Sequence, residues 1–463
     1  MELKLVILLK IIAKVVYKQQ IKKLIFSSVE HVVSNISQYA VHPDSDFKRS
    51  KKIPAQKLIS FLVSQGSSST RVEMLDFWEL DSSMPTASAL SQQRAKLKPE
   101  ALEAVFRHFN SSSMKLPPAS FKDPHYRFLA ADGSTCTFFS TPAFSSPDYY
   151  CCPGHSANGV YSMHLNAFYD LDTHTYTDAL IQPVRCKNEF GAFCDIVDRH
   201  DVLDGRKNVY IGDRGYCSYN NMAHVVEQGQ YFLFRTKDIH SKGLVGNFNF
   251  PDKESFDIDV RVTLVRSHSK KVLTGIHTEG YICFVDQAAA FDFIEYGSYD
   301  TYELSFRIVR FPINDSTYER IVTNLPRDEF PAERIKTLYN ARWNIESSFR
   351  KLKYTIGLSN FHAYKPEYVK QEIWARLLAY NITETMINHT VLEKHGAKHE
   401  YKVNFTMAAH ICRVFLRLTT EKDQYDVMSL LKKELIPIRN ERQYPRLQTA
   451  HFRRPRYFIY RAA

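Results

Sequence analysis

Two aspartates stand where a carboxylate can hold a divalent cation. Asp132 follows the apolar run Phe128-Leu129-Ala130-Ala131 and precedes Gly133. It is therefore expected at or near a strand's end, beside a residue whose bare backbone lets a metal or substrate approach closely. Asp213 repeats the arrangement: Val209-Tyr210-Ile211-Gly212, then Asp213-Arg214-Gly215-Tyr216, then a helix. Strand ends of this kind are common places for metal-binding acids. Asp-Gly is equally a turn signal, so neither aspartate stands on its own.

A third acid lies on a helix that Pro331 opens, with Asp328 as its cap, through the run ERIKTLYNARWNIESSFRKLKY. At helical spacing Tyr339, Arg342, Glu346 and Lys353 fall within about 60° of one another, bordered by Trp343 and Arg350. Leu338, Ala341, Ile345, Phe349 and Leu352 form a separate apolar arc that would bury against a sheet. One carboxylate thus sits among cations and aromatics beside a packing stripe. A solvated ladder of Arg342–Glu346–Arg350 ion pairs, at ~0.3–0.5 kcal/mol each, explains the face equally well.

The spacing Tyr339, two residues, Arg342, three residues, Glu346, six residues, Lys353 resembles the signature of DDE transposases of the insertion-sequence-four family. Asp132-Gly133-Ser134 and Gly212-Asp213-Arg214-Gly215-Tyr216 resemble that family's two aspartate motifs, in the expected order. The likeness spans roughly residues 120–420. It implies an α/β fold with an RNase H-like mixed-sheet core and a β-rich insertion between the second aspartate and the glutamate. It also implies that Asp132, Asp213 and Glu346 are both catalytic residues and metal ligands. The implied cofactor is a pair of Mg²⁺ ions, with Mn²⁺ substituting, since hard oxygen ligands suit these ions and not zinc. Arg342 and Lys353 would hold backbone phosphates, and Tyr339 would donate its hydroxyl to one. Trp343 would stack on a displaced base or simply pack, and Arg350 is a phosphate contact by position.

The implied reaction is cut-and-paste transposition of a bacterial-type insertion sequence. The element end is nicked, the freed 3′-hydroxyl attacks, and the end is joined to target DNA. Expected partners are terminal inverted repeats, target DNA and a second copy of the chain in a synaptic complex. The expected location is the cytoplasm, at the nucleoid. Two other readings are an inactive or regulatory DNA-binding descendant and a metal-dependent nuclease without strand transfer. Three acids facing phosphates argue against the first, because binding alone does not need them.

The elements that must position these residues follow from composition and periodicity. The chain has 463 residues, 44% hydrophobic and 24% charged, enough for two or three cored domains and not the composition of a disordered chain. A formal net charge of +11 favours polyanionic partners, nucleic acid first. Residues 1–118 read as helical and DNA-binding, with Gln92, Gln93, Arg94, Lys96 and Lys98 as surface candidates. Residues 119–239 read as the first part of the core, 240–326 as the β-rich insertion, and 327–395 as the catalytic helix with the rest of the core. Residues 396–463 read as a helical C-terminal region ending in seven arginines between 439 and 461.

The segment 3–17 looks like a leader, but Lys4, Lys10, Lys14, Lys18 and Lys22 interrupt every apolar run. An amphipathic helix packed on its own domain is expected, with no membrane partner. The eight cysteines form no recognisable disulfide framework. Cys151, Cys152 and His155, with Cys186 and Cys194, match no standard zinc spacing.

Overall fold

The computed structural model describes residues 20–49, 52–116, 123–152, 159–199, 205–237, 243–246, 248–251, 253–276, 280–314, 317–390, 400–417 and 426–438. The N-terminal segment 3–17, the zinc candidate His155 and the arginine-rich 439–463 lie outside them. In chain order come helices α1 (20–34), α2 (Ile36–Tyr39), α3 (Ala55–Ser64), α4 (Thr70–Phe77), α5 (Ala87–Arg94) and α6 (Glu100–Ser113). Strands β1 (Tyr126–Phe138), β2 (Val160–Asp170) and β3 (Tyr176–Pro183) lead to α7 (Glu189–Arg199), β4 (Lys207–Gly212), α8 (Tyr219–Glu227) and β5 (Tyr231–Arg235). Then follow β6 (Phe256–Val265), α9 (Lys270–Gly275), β7 (Tyr281–Phe284), β8 (Thr301–Asn314) and β9 (Thr317–Thr323). The remaining helices are α10 (Ala332–Ala341), α11 (Trp343–Arg350), α12 (Pro366–Asn388), α13 (Phe405–Arg417) and α14 (Val427–Lys433). This is a mixed α/β fold built on one large mixed sheet.

The chain divides into two compact units: one comprises 1–120, 136–162 and 349–463, the other 121–135 and 163–348. In the second unit the strand order is β3-β2-β1-β4-β5-β9-β8-β6-β7. The centre is parallel: β1 pairs with β4, and β4 with β5. Central parallel strands are buried on both faces, which is why Phe128 to Ala131 and Val209 to Gly212 are continuous apolar runs without alternation. On α7, Ala192, Phe193, Ile196 and Val197 turn inward at helical spacing. They join Leu129, Tyr210, Met222, Phe232 and Phe234 in a single core that continues through Val260, Leu264, Ile308 and Val322.

One sequence expectation changes here. The run from Tyr126 to Phe138 is one strand, and Asp132 lies inside it and not at its end. The strands between 240 and 326 extend the core sheet, because β9 pairs antiparallel with β5 and β8 with β9. Their apolar residues continue the same core, so no second sandwich layer is needed to bury them.

The first unit is helical and is organised around α12. Its Glu372 and Gln371 are buried and receive the side chain of Arg94: Nη1 donates to Glu372 Oε1 at 2.9 Å and Nε to Gln371 Oε1 at 2.8 Å. Gln93 donates to the carbonyl of Ile53 at 2.9 Å and is also buried. Arg94 and Gln93 therefore leave the set of surface DNA contacts, because buried polar groups are committed to one another. Burial on its own would raise the Glu372 carboxyl, but His362, Arg94 and Arg376 outweigh it and hold the group well below the ordinary range. Glu372→Ala should lower the free energy of unfolding by about 3–5 kcal/mol, because it leaves Arg94 buried and unpaired. Denaturant titration tests this, and a loss under about 1 kcal/mol would mean that the pair is not structural.

Candidate active site

Asp132 and Asp213 meet through strand register. The parallel pairing runs from Tyr126 opposite Lys207 to Ala130 opposite Ile211. Two residues further on, Asp132, inside β1, stands level with Asp213 at the carboxyl end of β4, where the pairing of the two strands stops. Asp213 precedes a short 3₁₀ turn, Arg214–Tyr216, and its carbonyl accepts from the Tyr216 amide at 2.8 Å. Gly133 is required by close approach. A Cβ there would run into His164 Nε2 and, at 2.9 Å, Glu189 Oε1.

The third acid arrives on a broken helix. Pro331 occupies the N-cap position of α10 without any side-chain cap bond, so Asp328 is not the cap. The helix tightens at Arg342, whose amide donates to Tyr339 and whose carbonyl accepts from Ile345, both at 3.1 Å. These are 3₁₀-type bonds, and they offset α11 from α10. Ile335 and Tyr339 consequently turn inward before the break, and Ile345 and Phe349 after it. After Arg350 the chain takes a π-helical turn, Lys351–Ile356, which shifts the phase assumed for Lys353.

Arg342 lies among the acids. Its Nη2 donates to Glu346 Oε1 at 3.0 Å, and its guanidinium is 5.7 Å from the centre of the Tyr339 ring. Its side chain is 8% exposed against 33% for Glu346. Tyr339 donates its hydroxyl to Asp213 Oδ1 at 3.3 Å, and Arg235 Nη1 is 3.6 Å from the same oxygen. Burial pushes the Asp132 carboxyl up to about 6; Arg342 pulls against this while Glu346 and Glu189 add to it. Burial also opposes ionisation of Asp213, but the Arg214 amide, Arg342, Arg235 and the Tyr339 hydroxyl outweigh it and lower its pKa. Burial would lower the Arg342 pKa, yet Tyr339, Asp213, Asp132 and Glu346 together raise it.

The structure thus brings together Asp132, Asp213, Tyr339, Arg342 and Glu346. Trp343 is 47% exposed on the same helix. Arg350 and Lys353 belong to the first unit; there Arg350 is exposed, and Lys353 acts electrostatically on the buried Cys136 thiol. Sequence reading missed Arg235, His164 and Glu189. Arg235 ends the apolar strand Tyr231–Arg235 much as Asp213 follows its own, and that was a usable signal. Glu189 and His164 had none, since only folding places them against Gly133.

Among the described residues, no three His, Cys, Asp or Glu side chains are close enough to hold a metal ion, and all eight cysteines are free. The donor set is nevertheless all carboxylate oxygen, the chemistry that a hard divalent cation takes. Among the described residues, no helix is long and apolar enough to cross a membrane.

The chain belongs to the transposase DDE domain family, whose profile matches residues 123–382. It is similar to the transposase InsG for insertion sequence element IS4 of Escherichia coli (strain K12), 28% identical over 130 residues, which is 26% of this chain and 28% of that protein. It is also similar to the transposase for insertion sequence element IS421 of Escherichia coli, 39% identical over 67 residues, 14% of this chain and 18% of the relative. The chain thus covers less than a third of the length of either relative. Among solved structures it is similar to a piggyBac transposase synaptic complex with hairpin DNA, at 9% identity and a TM-score of 0.39, over 84% of this chain and 76% of that one. The family depends in general on divalent metal.

The raised Asp132 carboxyl predicts a pH signature. The folded protein binds this proton more tightly than the unfolded chain does, so the group costs stability as pH rises from about 4 to above 6. Asp132→Asn should therefore stabilise the metal-free protein at pH 8, by on the order of 2 kcal/mol, and by less at pH 5. Thermal unfolding in chelator checks this, and an equal effect at both pH values would contradict the assignment.

Proposed function

We propose that this protein is a cut-and-paste DNA transposase of a bacterial-type insertion sequence, of the insertion-sequence-four family, with Asp132, Asp213 and Glu346 as its catalytic acids and metal ligands. The observation that carries this reading is that the register of β1 and β4 sets Asp132 level with Asp213, while Tyr339 and Arg342 of one helical segment bond Asp213 and Glu346 respectively. Family membership supports the reaction type, and the order β3-β2-β1-β4-β5 supports an RNase H-like core. Strands β1 and β4 position two acids, and α11 supplies the third.

The three acids would hold two Mg²⁺ ions, which supply activation of the attacking oxygen and neutralisation at the leaving one. The protein's own residues then bind and orient the DNA. Arg342 offers a planar fork suited to a phosphate, and Arg235 adds positive charge beside Asp213. Tyr339 keeps its hydroxyl proton, because burial and the nearby Asp213 hold its pKa well above the ordinary value, so it acts as a donor. Trp343 presents an exposed ring for a displaced base, and Arg350 and Lys353 add phosphate contacts. Terminal inverted repeats and target DNA are the nucleic-acid partners, bound by a dimer at the nucleoid in the cytoplasm. The N-terminal helices and the arginine-rich C-terminal segment serve end recognition, with salt-dependent affinity.

Purified protein, DNA carrying the ends of the parent element, and Mg²⁺ test this on a denaturing gel. Wild type should nick the ends and then yield joined products. Asp132→Ala, Asp213→Ala and Glu346→Ala should each reduce cleavage by at least about a thousandfold while retaining DNA binding. Normal cutting by any one of them removes that residue from the site. Cleavage without joining would identify a nuclease, and binding without cleavage in Mg²⁺ or Mn²⁺ a regulatory descendant.

A further inference from the structure

Arg342 is placed unlike an ordinary helix-surface arginine. Its side chain is 8% exposed, its Nη2 is bonded to Glu346, and its Nε, also buried, has no hydrogen-bond partner among the described residues. The bond to Glu346 thus leaves donor capacity in a guanidinium that is nearly buried. Asp132 and Asp213 lie within its electrostatic reach; Asp132 accepts from the Gly133 amide, and Asp213 from the Arg214 amide and the Tyr339 hydroxyl.

We propose that Arg342 is the resident counter-ion of the acidic site, competing with divalent metal for Glu346 and releasing that carboxylate when metal binds. This rests on the reading of the three acids as a metal site. One carboxylate oxygen of Glu346 is committed to a cation already. A metal that takes it draws on the same lone pairs and repels the guanidinium, which weakens that bond and makes the fork available to a DNA phosphate. Arg342 is a positioning residue in this scheme: it holds the acids together before metal arrives and delays their engagement until a phosphate can take their place. An ordinary pair spaced by four residues on a helix would do neither.

The test is Mn²⁺ binding to the full-length protein without DNA, read from the free-ion paramagnetic resonance signal at low salt. Arg342→Gln should bind Mn²⁺ on the order of tenfold more tightly than wild type, the scale expected for removing one adjacent positive charge at partial burial. Arg334→Gln removes the same charge from α10, where Arg334 pairs with Asp123 and lies over the Phe330 ring, and should match wild type. Arg342→Lys keeps the charge but loses the planar fork. It should gain about threefold, and it answers the question if the glutamine variant fails to fold. Unchanged or weaker binding in both Arg342 variants overturns the proposal, as does a gain in Arg334→Gln equal to theirs. Glu346→Gln isolates the underlying reading. If it binds Mn²⁺ as wild type does, the metal assignment itself fails; if it binds weakly and the Arg342 variants show no gain, only the counter-ion role fails.

Discussion

A buried or half-buried carboxylate needs positive charge or donors beside it, and Asp132, Asp213 and Glu346 each lie within the electrostatic reach of Arg342. Arg235 adds positive charge beside Asp213, and Tyr339 contributes a neutral donor. The balance is uneven. Asp213 has enough partners to ionise more readily than a free aspartate, whereas Asp132 is pushed up to about 6 by burial with Glu346 and Glu189 nearby. One aspartate therefore ionises readily, while the other resists ionisation chiefly because it is buried.

The backbone makes this possible by departing from ideal helix geometry twice in a short span. The 3₁₀ bonds at Arg342 separate α10 from α11, so the packing residues before and after the break need not share one stripe. Ile335 and Tyr339 anchor the first piece, while Ile345 and Phe349 anchor the second. Arg342 sits at the join, and its buried side chain faces the acids. The π turn that follows ends at Gly357, whose left-handed φ of 98° and contact distance of 2.7 Å from a built Cβ to Ser67 Oγ exclude a larger residue. Departures of this sort cost free energy and persist where surrounding packing imposes them.

Ionic pairing also organises the first unit, for a different purpose. Arg376, fully buried on α12, donates to the carbonyls of Gln65 and Gly66, while Arg417 pairs with Glu73 at 2.8 Å and Asp76 at 2.9 Å. Together with Arg94 and Glu372 these bonds tie α3, α4 and α5 to α12 and α13. Arginines that look from composition like nucleic-acid contacts are here spent on the interior. Counting basic residues therefore overstates the charge this unit can offer a polyanion.

From residues alone came the local facts: apolar runs leading to Asp132 and Asp213, the helical spacing of Tyr339, Arg342 and Glu346, and the helical character of the N-terminal region. These were legible because strand and helix periods depend on near neighbours in the chain. The resemblance carried by the same residues implied the order of the acids and the chemistry they serve. Tertiary structure decided what required distant segments to meet. It made Tyr126–Phe138 one strand, added the 240–326 strands to the core sheet, and buried Arg94 against Glu372. It also set Glu189 and His164 against Gly133 and buried the Arg342 side chain that pairs with Glu346. Register between β1 and β4 and the break at Arg342 arise from long-range pairing and packing, which no local pattern encodes.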